Sequence, residues 1–446
     1  MKAKSISLAA ILLTALFMFE AGTYAQDPTP TPTPESADTA KTAAAKTEPD
    51  ELEEVSGDWG GVRSRWKEKG VTMEFRLTQF AQGTVKGGVR KEEEYTGKFK
   101  TEFKFDFGKL WGWNGWHGVV ATDTRFAGPL LGGTGAINPV NTQALVPGPE
   151  GTLFTFGAVN LTKIIPIDMK KGNLVAVSFG RFDMLDLIDE DFFGGAGIDR
   201  FFNMAQIGPL TVLRQVPLIT NGATVAWVKG GQPFITLAVI DPNDHSTDPG
   251  LAELFEDGVS FAPAINFPTK YWGKSGKHTI GGAITTKAYT PFDAIRQIII
   301  PGPPVNPVEP KRGSWSINYV FRQYIVERAP RDGWGFFTQV SFADKATSPI
   351  TTFFDLGLGG NGLFKSRPRD EFGISYAYTD LSKVLKDNLD LLRIGGRPRP
   401  EHQVEAFYNF HITPWLRLTG DLQIIRPTRP IADTAIIPGA RLEIIF

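Results

Sequence analysis

Charged side chains of opposite sign alternate along two segments in the first third of the chain. Glu102, Lys104 and Asp106 follow one another at a spacing of two, and Arg125 follows Asp123 at the same spacing. If these segments are extended, each set lies on one face with about 7 Å between neighbours, too far for a tight ion pair. Such a face offers donors and acceptors to a neutral solute rich in hydroxyl groups.

The sequence carries little that would support catalysis or a bound metal. It contains no cysteine, which excludes a disulfide scaffold, a thiolate metal site and a cysteine nucleophile. Its five histidines show no ligand spacing, and no Gly-x-Ser-x-Gly elbow is present. We therefore predict neither an enzyme nor a cofactor.

The N-terminus indicates export. Two lysines precede an uncharged, mostly apolar run from Ser5 to Phe19, and Thr23 and Ala25 place small residues at the −3 and −1 positions of a cleavage site. These features predict a secretory signal peptide over residues 1–25. A retained anchor is the alternative, but the run is short for a membrane span.

Residues 26–55 have the composition of a disordered tether. Proline occupies every second position from Pro28 to Pro34, which favours polyproline II, and an acidic patch follows from Glu48 to Glu54. The whole chain has a net charge of −1, and because its first 55 residues carry −5, residues 56–446 carry +4. So mild a charge predicts no nucleic-acid partner.

The rest of the chain alternates with a period of two. From Phe99 to Phe107, phenylalanines share one face and charged residues share the other; Ser314–Arg322 and Glu371–Thr379 alternate in the same way. No apolar run after the N-terminus reaches 18 residues, which excludes spanning helices, whereas spanning strands need no such run. Arg63 to Lys69 is predicted to form a short helix ahead of the first strand.

A soluble sandwich would also alternate, but three features favour a membrane barrel. The apolar faces are rich in aromatic residues, the polar faces carry full charges of both signs, and the chain ends in Phe446 at the tip of an alternating strand. We predict an all-β fold, a transmembrane antiparallel β-barrel over residues 56–446 in the bacterial outer membrane. With strands of roughly 9–11 residues, sixteen strands fit best and eighteen are the alternative.

Two segments resemble the carbohydrate-selective porin family, often called OprB-like. Gly57–Arg63 resembles the opening motif of the family, and the segment from Glu401 to Ile425 resembles its penultimate hairpin and is the most specific match. Gly180–Asp183 is similar to a weaker internal motif. The resemblance extends over residues 57–446, with a poorly matching middle between about Pro263 and Pro310. It implies a sixteen-stranded outer-membrane barrel through which small sugars diffuse passively.

In such a pore we expect sugars to meet a constriction lined by balanced charges. The predicted pore-lining residues are Arg76, Glu102, Lys104, Asp106, Asp123, Arg125, Arg181 and Asp183. The last two come from the internal motif, although their parity places them on the apolar face, so a bulge or the end of the strand must intervene. The acidic run from Asp186 to Asp191 is either an inward-folded loop that narrows the pore or a solvated outer loop.

The expected partners are small saccharides and outer-membrane lipid, with a homo-oligomer left open. A general or anion-preferring diffusion pore is the first alternative, which the charge of +4 favours. The second is a barrel enzyme or an adhesin, but we find neither a nucleophile constellation nor a large exposed domain.

Overall fold

The computed structural model describes most of the region predicted to form the barrel. The described residues are 55–126, 132–145, 154–188, 190–212, 214–294, 308–391 and 396–446. The predicted signal peptide and all but the last residue of the predicted tether lie outside them.

Alternation of apolar and polar side chains produces strands along most of the described chain. They are β1 (Val71–Thr84), β2 (Lys86–Gly88), β3 (Glu92–Asp106), β4 (Trp116–Phe126), β5 (Phe154–Asp168), β6 (Asn173–Asp183), β7 (Ile219–Lys229), β8 (Gln232–Ile240), β9 (Ser260–Tyr271), β10 (Lys274–Tyr289), β11 (Lys311–Ala329), β12 (Asp332–Ala343), β13 (Ile350–Asn361), β14 (Glu371–Leu381), β15 (Glu401–Thr413), β16 (Leu416–Arg426) and β17 (Asp433–Ile445).

Helices are few and short. They are α1 (Val62–Lys69), α2 (Phe107–Trp111) and α3 (Lys383–Leu391), with 3-10 turns at Gly132–Thr134, Thr142–Leu145, Met169–Lys171, Gly195–Gly197, Met204–Gln206, Leu210–Val212 and Phe292–Ala294. The predicted helix ahead of the first strand is thus confirmed as α1. It ends at Gly70, whose φ of 98° suits glycine and where a Cβ would lie 2.7 Å from the Asp106 carbonyl oxygen. No helix among the described residues is long and apolar enough to cross a membrane.

The strands close into a ring. Each long strand is antiparallel to the next, and β17 returns to β1 with Arg76 opposite Ile445 and Gln82 opposite Gly439. Lys86 and Gly88 of the short β2 also pair with β17 and extend the line of β1. The described chain therefore forms a closed antiparallel barrel of sixteen strands, which confirms the predicted fold class and strand number.

The wall is apolar outside and polar inside. On β11, Trp315 and Ile317 are exposed on the outer face, whereas Ser314, Ser316 and Asn318 are buried on the inner face. A soluble sandwich would place these faces the other way round, and a barrel in lipid needs this arrangement. The alternation predicted for Ser314–Arg322 is therefore confirmed.

The two ends of the barrel differ. At the end that holds α1 and the C-terminus, several strands are joined by two-residue turns, such as Gly230–Gly231 and Pro414–Trp415. The connections at the opposite end are longer. Outer-membrane barrels have short periplasmic turns and long extracellular loops, so the C-terminal end faces the periplasm.

Two of the extracellular connections fold into the barrel. We call residues 132–145 the short inner loop and residues 184–218, of which 189 and 213 are not described, the long inner loop. Side chains of the long inner loop, including Phe192, Phe201 and Met204, are fully buried against the wall. The described acids of the run, Asp186, Glu190 and Asp191, thus lie inside the barrel, as the first of the two interpretations held. Asp189 is not among the described residues.

Candidate functional site

Charged side chains form two rows across β1 and β3 on the inner face of the wall. Arg76 lies opposite Lys100, and one step closer to the periplasm Glu74 lies opposite Glu102. Like charges that face each other across strands repel, so each needs an opposite charge nearby. Glu74 accepts from Arg76 at 2.8 Å, and the Lys104 Nζ lies 2.6 Å from a Glu102 oxygen.

The long inner loop brings two carboxylates to the row formed by Arg76 and Lys100, which we call the basic row. Asp199 Oδ1 lies 3.1 Å from Arg76 and 2.8 Å from Arg417, and Asp186 forms an ion pair with Lys100. Burial alone would raise the pKa of Asp199, but the guanidinium groups of Arg76 and Arg417 outweigh it and hold that pKa well below its usual value. These ion pairs thus fix the position of the long inner loop along the barrel axis.

The other side of the loop is held in the same way. Glu190 accepts a hydrogen bond from Lys277 at 2.6 Å and forms an ion pair with Arg322 at 2.6 Å. Asp191 pairs with Arg322 and, at 3.0 Å, with Arg331. The described acids of the predicted acidic run therefore meet basic residues of the wall and its turns. This pairing explains why a basic body and an acidic loop occur in one chain.

Three predicted site residues lie together at this point, namely Arg76, Glu102 and Lys104. The expectation that Glu102 and Lys104 avoid a tight ion pair is wrong, because their side chains lean toward each other along the strand. A spacing of two fixes the distance between backbones and not between the ends of long side chains.

Asp123 and Arg125 are more buried than these three residues, and each contacts a different partner. Asp123 is 1% exposed and pairs with Lys98 at 3.0 Å across the β3–β4 ladder. Arg125, at 5% exposed, donates to the Ala144 carbonyl of the short inner loop at 3.4 Å. Arg125 thus joins the wall to the short inner loop, whereas the ion pair of Asp123 stays within the wall, and both side chains have little exposed surface.

The remaining three predicted residues are separated. Asp106 caps α2 by accepting from the Gly108 and Lys109 amides at 2.9 and 3.2 Å, at the periplasmic end. Arg181 pairs in register with the outward Val159, so it lies on the outer face.

Arg181 is covered there by the connection between β8 and β9. Its guanidinium donates to the carbonyls of His245, Asp248 and Pro249. Asp183, at the end of β6, turns inward and lies beside Asp186 in the lumen. The internal motif is therefore divided between the two faces of the wall.

Sequence reasoning missed several charged residues of the site. They are Glu74, Lys98, Lys100, Asp199, Arg417 and Glu443. Lys98 and Lys100 share the polar face of Glu102 and could have been selected by parity. Asp199 lies in irregular chain, where no periodicity marks it.

A cavity opens beside the long inner loop toward the periplasm. Its lining combines apolar side chains, such as Val119, Ile164 and Leu187, with polar ones. It includes His117, Asn160, Thr162, Ser178, Phe182 and Thr224, next to Glu102 and Asp186. Among the described residues no group of acidic, histidine or cysteine side chains could hold a metal ion. The arrangement suits hydrogen bonding to a polar solute.

Comparison with known proteins identifies the family. The family model described as "Carbohydrate-selective porin, OprB family" matches residues 90–446, which is most of the chain. This chain belongs to that family. Porin B of Pseudomonas aeruginosa is 21% identical over 427 residues, which cover 87% of this chain and 90% of that protein.

Solved structures show the same fold. The high pH structure of Pseudomonas putida OprB has a TM-score of 0.73 at 20% identity, and the match covers 88% of this chain and 98% of that one. The low pH structure of the same protein has a TM-score of 0.53 at 15% identity, with the same coverage. The protein is a sugar-selective porin of the bacterial outer membrane, and its family and fold indicate a channel rather than an enzyme.

Proposed function

We propose that this porin selects sugars at a constriction between the β1–β3 wall and the long inner loop. Charges of both signs retain solvent contact there. The side chains of Glu74 and Lys104 on the wall are 39% and 32% exposed, and those of Asp199 and Asp186 on the loop are 29% and 25% exposed. Partly exposed charges on two facing surfaces carry the proposal.

Such a surface suits a neutral molecule dense in hydroxyl groups. A sugar loses hydrogen bonds to water when it enters a narrow pore, and paired cations and carboxylates replace both the donors and the acceptors. Because each charge is already paired, the net field stays small and the solute is held weakly. Binding must be weak for passage, and millimolar affinity corresponds to about 4 kcal/mol.

The predicted lining residues then have different roles. Arg76, Glu102 and Lys104 contact the sugar, while Asp123 and Arg125 support the wall and the short inner loop behind them. Asp183 belongs to the inner cavity, where Asn160 and Ser178 would receive the sugar after the constriction. Asp106 lies at the periplasmic mouth, and Arg181 fastens a loop to the outer face.

Substitution of Lys104 tests the constriction. Lys104→Ala removes a charge-assisted donor, worth roughly 1.5–3 kcal/mol, so sugar block of single channels should weaken about tenfold or more while small-ion conductance holds or rises. Lys229→Ala is the matched control, because Lys229 is exposed on the outer face at a periplasmic turn. Unchanged sugar block in both Lys104→Ala and Arg76→Gln would place the selective site elsewhere.

A general or anion-preferring pore is the competing function, and the charge of +4 on residues 56–446 favours it. Reversal potential under a salt gradient separates the two. A sugar-selective pore with paired charges should give a small reversal potential, and an anion pore a large one.

The outer face is proposed to contact membrane lipid. It carries many exposed apolar side chains along the strands, such as Ile284, Ile317, Leu356, Ile374 and Ile412, and exposed Trp111, Trp113 and Trp272 near the periplasmic turns. This matches an apolar band with an aromatic girdle. A homo-oligomer stays a prediction that native mass spectrometry in detergent would check.

Residues 1–25 and 26–55 are proposed to act as signal peptide and tether. N-terminal sequencing of the mature protein tests the first role, and Gln26 is the expected first residue.

A further inference from the structure

We infer that β15 is the strand that positions both inner loops and thereby sets the size of the pore. Five alternate residues of β15 face inward, and each is at most 5% exposed. They are Glu401, Gln403, Glu405, Phe407 and Asn409, and we call them the docking ladder. They belong to the segment whose resemblance to the porin family is the most specific in the sequence.

The first rung holds the short inner loop. Glu401 accepts from the Ile137 amide at 2.7 Å and from the Asn138 amide at 3.1 Å. The side chain of Asn138 donates to the same carboxylate at 2.6 Å and to Thr379 on β14 at 3.0 Å. Three donors on one buried carboxylate leave the loop backbone little freedom.

The middle rungs hold the long inner loop. The two oxygens of Glu405 accept from the Phe202 amide at 2.5 Å and from the Asn203 amide at 3.1 Å. Gln403 donates to the Asn203 side chain at 3.0 Å, and that side chain donates in turn to Gln423 on β16. Glu405 therefore binds the loop backbone directly, and the side chain of Asn203 is oriented by Gln403 on β15 and Gln423 on β16.

The last rungs reach the constriction. The ring of Phe407 packs edge-on against Phe201 with centroids 4.8 Å apart, and the side-chain amide of Asn409 donates to the backbone carbonyl of Asp199. Asp199 is the loop residue that meets Arg76 and Arg417. The ladder thus continues without interruption from the short inner loop to the carboxylate that faces the basic row.

The two inner loops are also bonded to each other, so they dock as one unit. The Thr142 amide donates to the Phe202 carbonyl at 2.9 Å, and the Met204 amide donates to the Pro139 carbonyl at 2.9 Å. Rungs on a strand are about 6.6–6.8 Å apart, so each fixes one level of this unit. The side chains of the ladder are buried and cannot contact a sugar in the lumen. They therefore act by positioning the inner loops.

The chain offers a clean test because it contains no cysteine. Glu405→Gln keeps the shape of the side chain, but its amide nitrogen cannot accept from the backbone N–H that faces it. A reporter cysteine, Ala205→Cys, lies in the long inner loop at a fully buried position. In the Glu405→Gln background we expect a thiol reagent to label it about tenfold faster or more, because one accepting oxygen is lost and one buried donor is left facing another.

Asp355→Asn is the matched control. Asp355 is a fully buried carboxylate on β13, and its bonds from Gln339 and Ser375 stay within the wall. Labelling in this background should equal that of the parent. Heat-modifiable mobility on gels verifies a folded barrel in each variant, and Phe407→Leu replaces Glu405→Gln if the latter does not fold.

A disulfide separates positioning from general damage. Thr211 on the loop and Ser341 on β12 have Oγ atoms 2.5 Å apart, so Thr211→Cys with Ser341→Cys can bridge loop and wall. Without the reporter cysteine, Glu405→Gln should lose sugar block, the oxidised bridge should restore it, and reduction should abolish it again.

This inference rests on the proposed constriction, and the readouts distinguish their failures. Faster labelling with weakened sugar block supports both. Faster labelling with unchanged sugar block supports the ladder and contradicts the proposed constriction. Labelling that stays at the parental rate in both Glu405→Gln and Phe407→Leu overturns the ladder.

Discussion

Replacing Asp199 by Asn changes the charge of the constriction with little change of shape. The wild-type carboxylate meets Arg76 at 3.1 Å and Arg417 at 2.8 Å. The amide oxygen of Asn can still accept weaker hydrogen bonds from both guanidinium groups, so the loop should stay in place while one negative charge leaves the lumen. The net charge at the constriction then becomes more positive by one unit.

The size of the effect follows from Coulomb's law. At about 7 Å through water, one unit charge shifts the energy of a permeating ion by about 0.6 kcal/mol. The shift has opposite signs for cations and anions, so their relative permeability should change by about 1.2 kcal/mol, or about eightfold toward anions. Salt screens this interaction, and the shift should shrink as ionic strength rises.

Reversal potential under a salt gradient in planar bilayers measures the change. Asp387→Asn is the control, because Asp387 lies on α3, where it pairs with Lys383 and Arg397 away from the constriction. We expect an anion shift for Asp199→Asn and none for the control. Equal reversal potentials for Asp199→Asn and the parent would refute a constriction at this residue.

The pH dependence of this difference has a defined sign. The pKa of Asp199 in the folded protein lies below its ordinary value, which is about 3.9 in an unfolded chain. The contribution of its charge is therefore complete above about pH 3.9 and is lost only as the pH falls through the lower pKa of the folded protein. The difference between parent and Asp199→Asn should stay constant from pH 5 to pH 8. A difference that vanishes near pH 6 would contradict the ion pairing.

Three further predictions concern other parts of the chain. Arg181→Ala should leave sugar block unchanged, because Arg181 lies on the outer face; a weakened block measured in single channels would contradict that placement. Deleting Phe446 should reduce the amount of folded barrel in the outer membrane, which heat-modifiable mobility measures. Undiminished assembly would contradict a role of Phe446 in assembling the barrel. Removing Asp27 to Glu53 should leave conductance within about twofold if this segment is disordered outside the barrel, whereas a several-fold change would show that it gates the pore.

The barrel wall could be predicted from sequence because its environment imposes a period of two. Lipid on one face and a polar interior on the other select alternate residues, so the faces of β3, β11 and β14 could be read directly.

The placement of ion pairs depends on register between strands, which the sequence does not show. Lys98 reaches Asp123 only because β3 and β4 pair with Lys98 opposite Arg125 and Lys100 opposite Asp123. Arg181 follows Gly180, whose φ of 130° brings the backbone so close to Val159 that a Cβ would lie 2.3 Å from its carbonyl oxygen. Despite this close approach at Gly180, Arg181 keeps the parity of Phe179 and lies on the outer face, whereas Asp183, at the end of β6, turns inward against its parity.

The path of the inner loops could not be predicted for a different reason. Their residues are irregular, and acids such as Asp186 are equally compatible with water and with a basic wall. The choice is made by distant partners, including Lys100 on β3 and Glu405 on β15. The acidic run left both paths open, and the alternate residues of the β15 segment face the loops.

Single-channel conductance with saccharides as blockers tests the account most directly. A panel of small sugars should reduce the current in a saturable manner at millimolar concentration, whereas neutral polyethylene glycols of similar size should not saturate. Lys104→Ala and Asp199→Asn should weaken the sugar block and leave the response to polyethylene glycol unchanged. If sugars and polyethylene glycols of equal size reduce the current alike in the parent channel, the pore sorts by size alone and the proposed selective constriction is wrong.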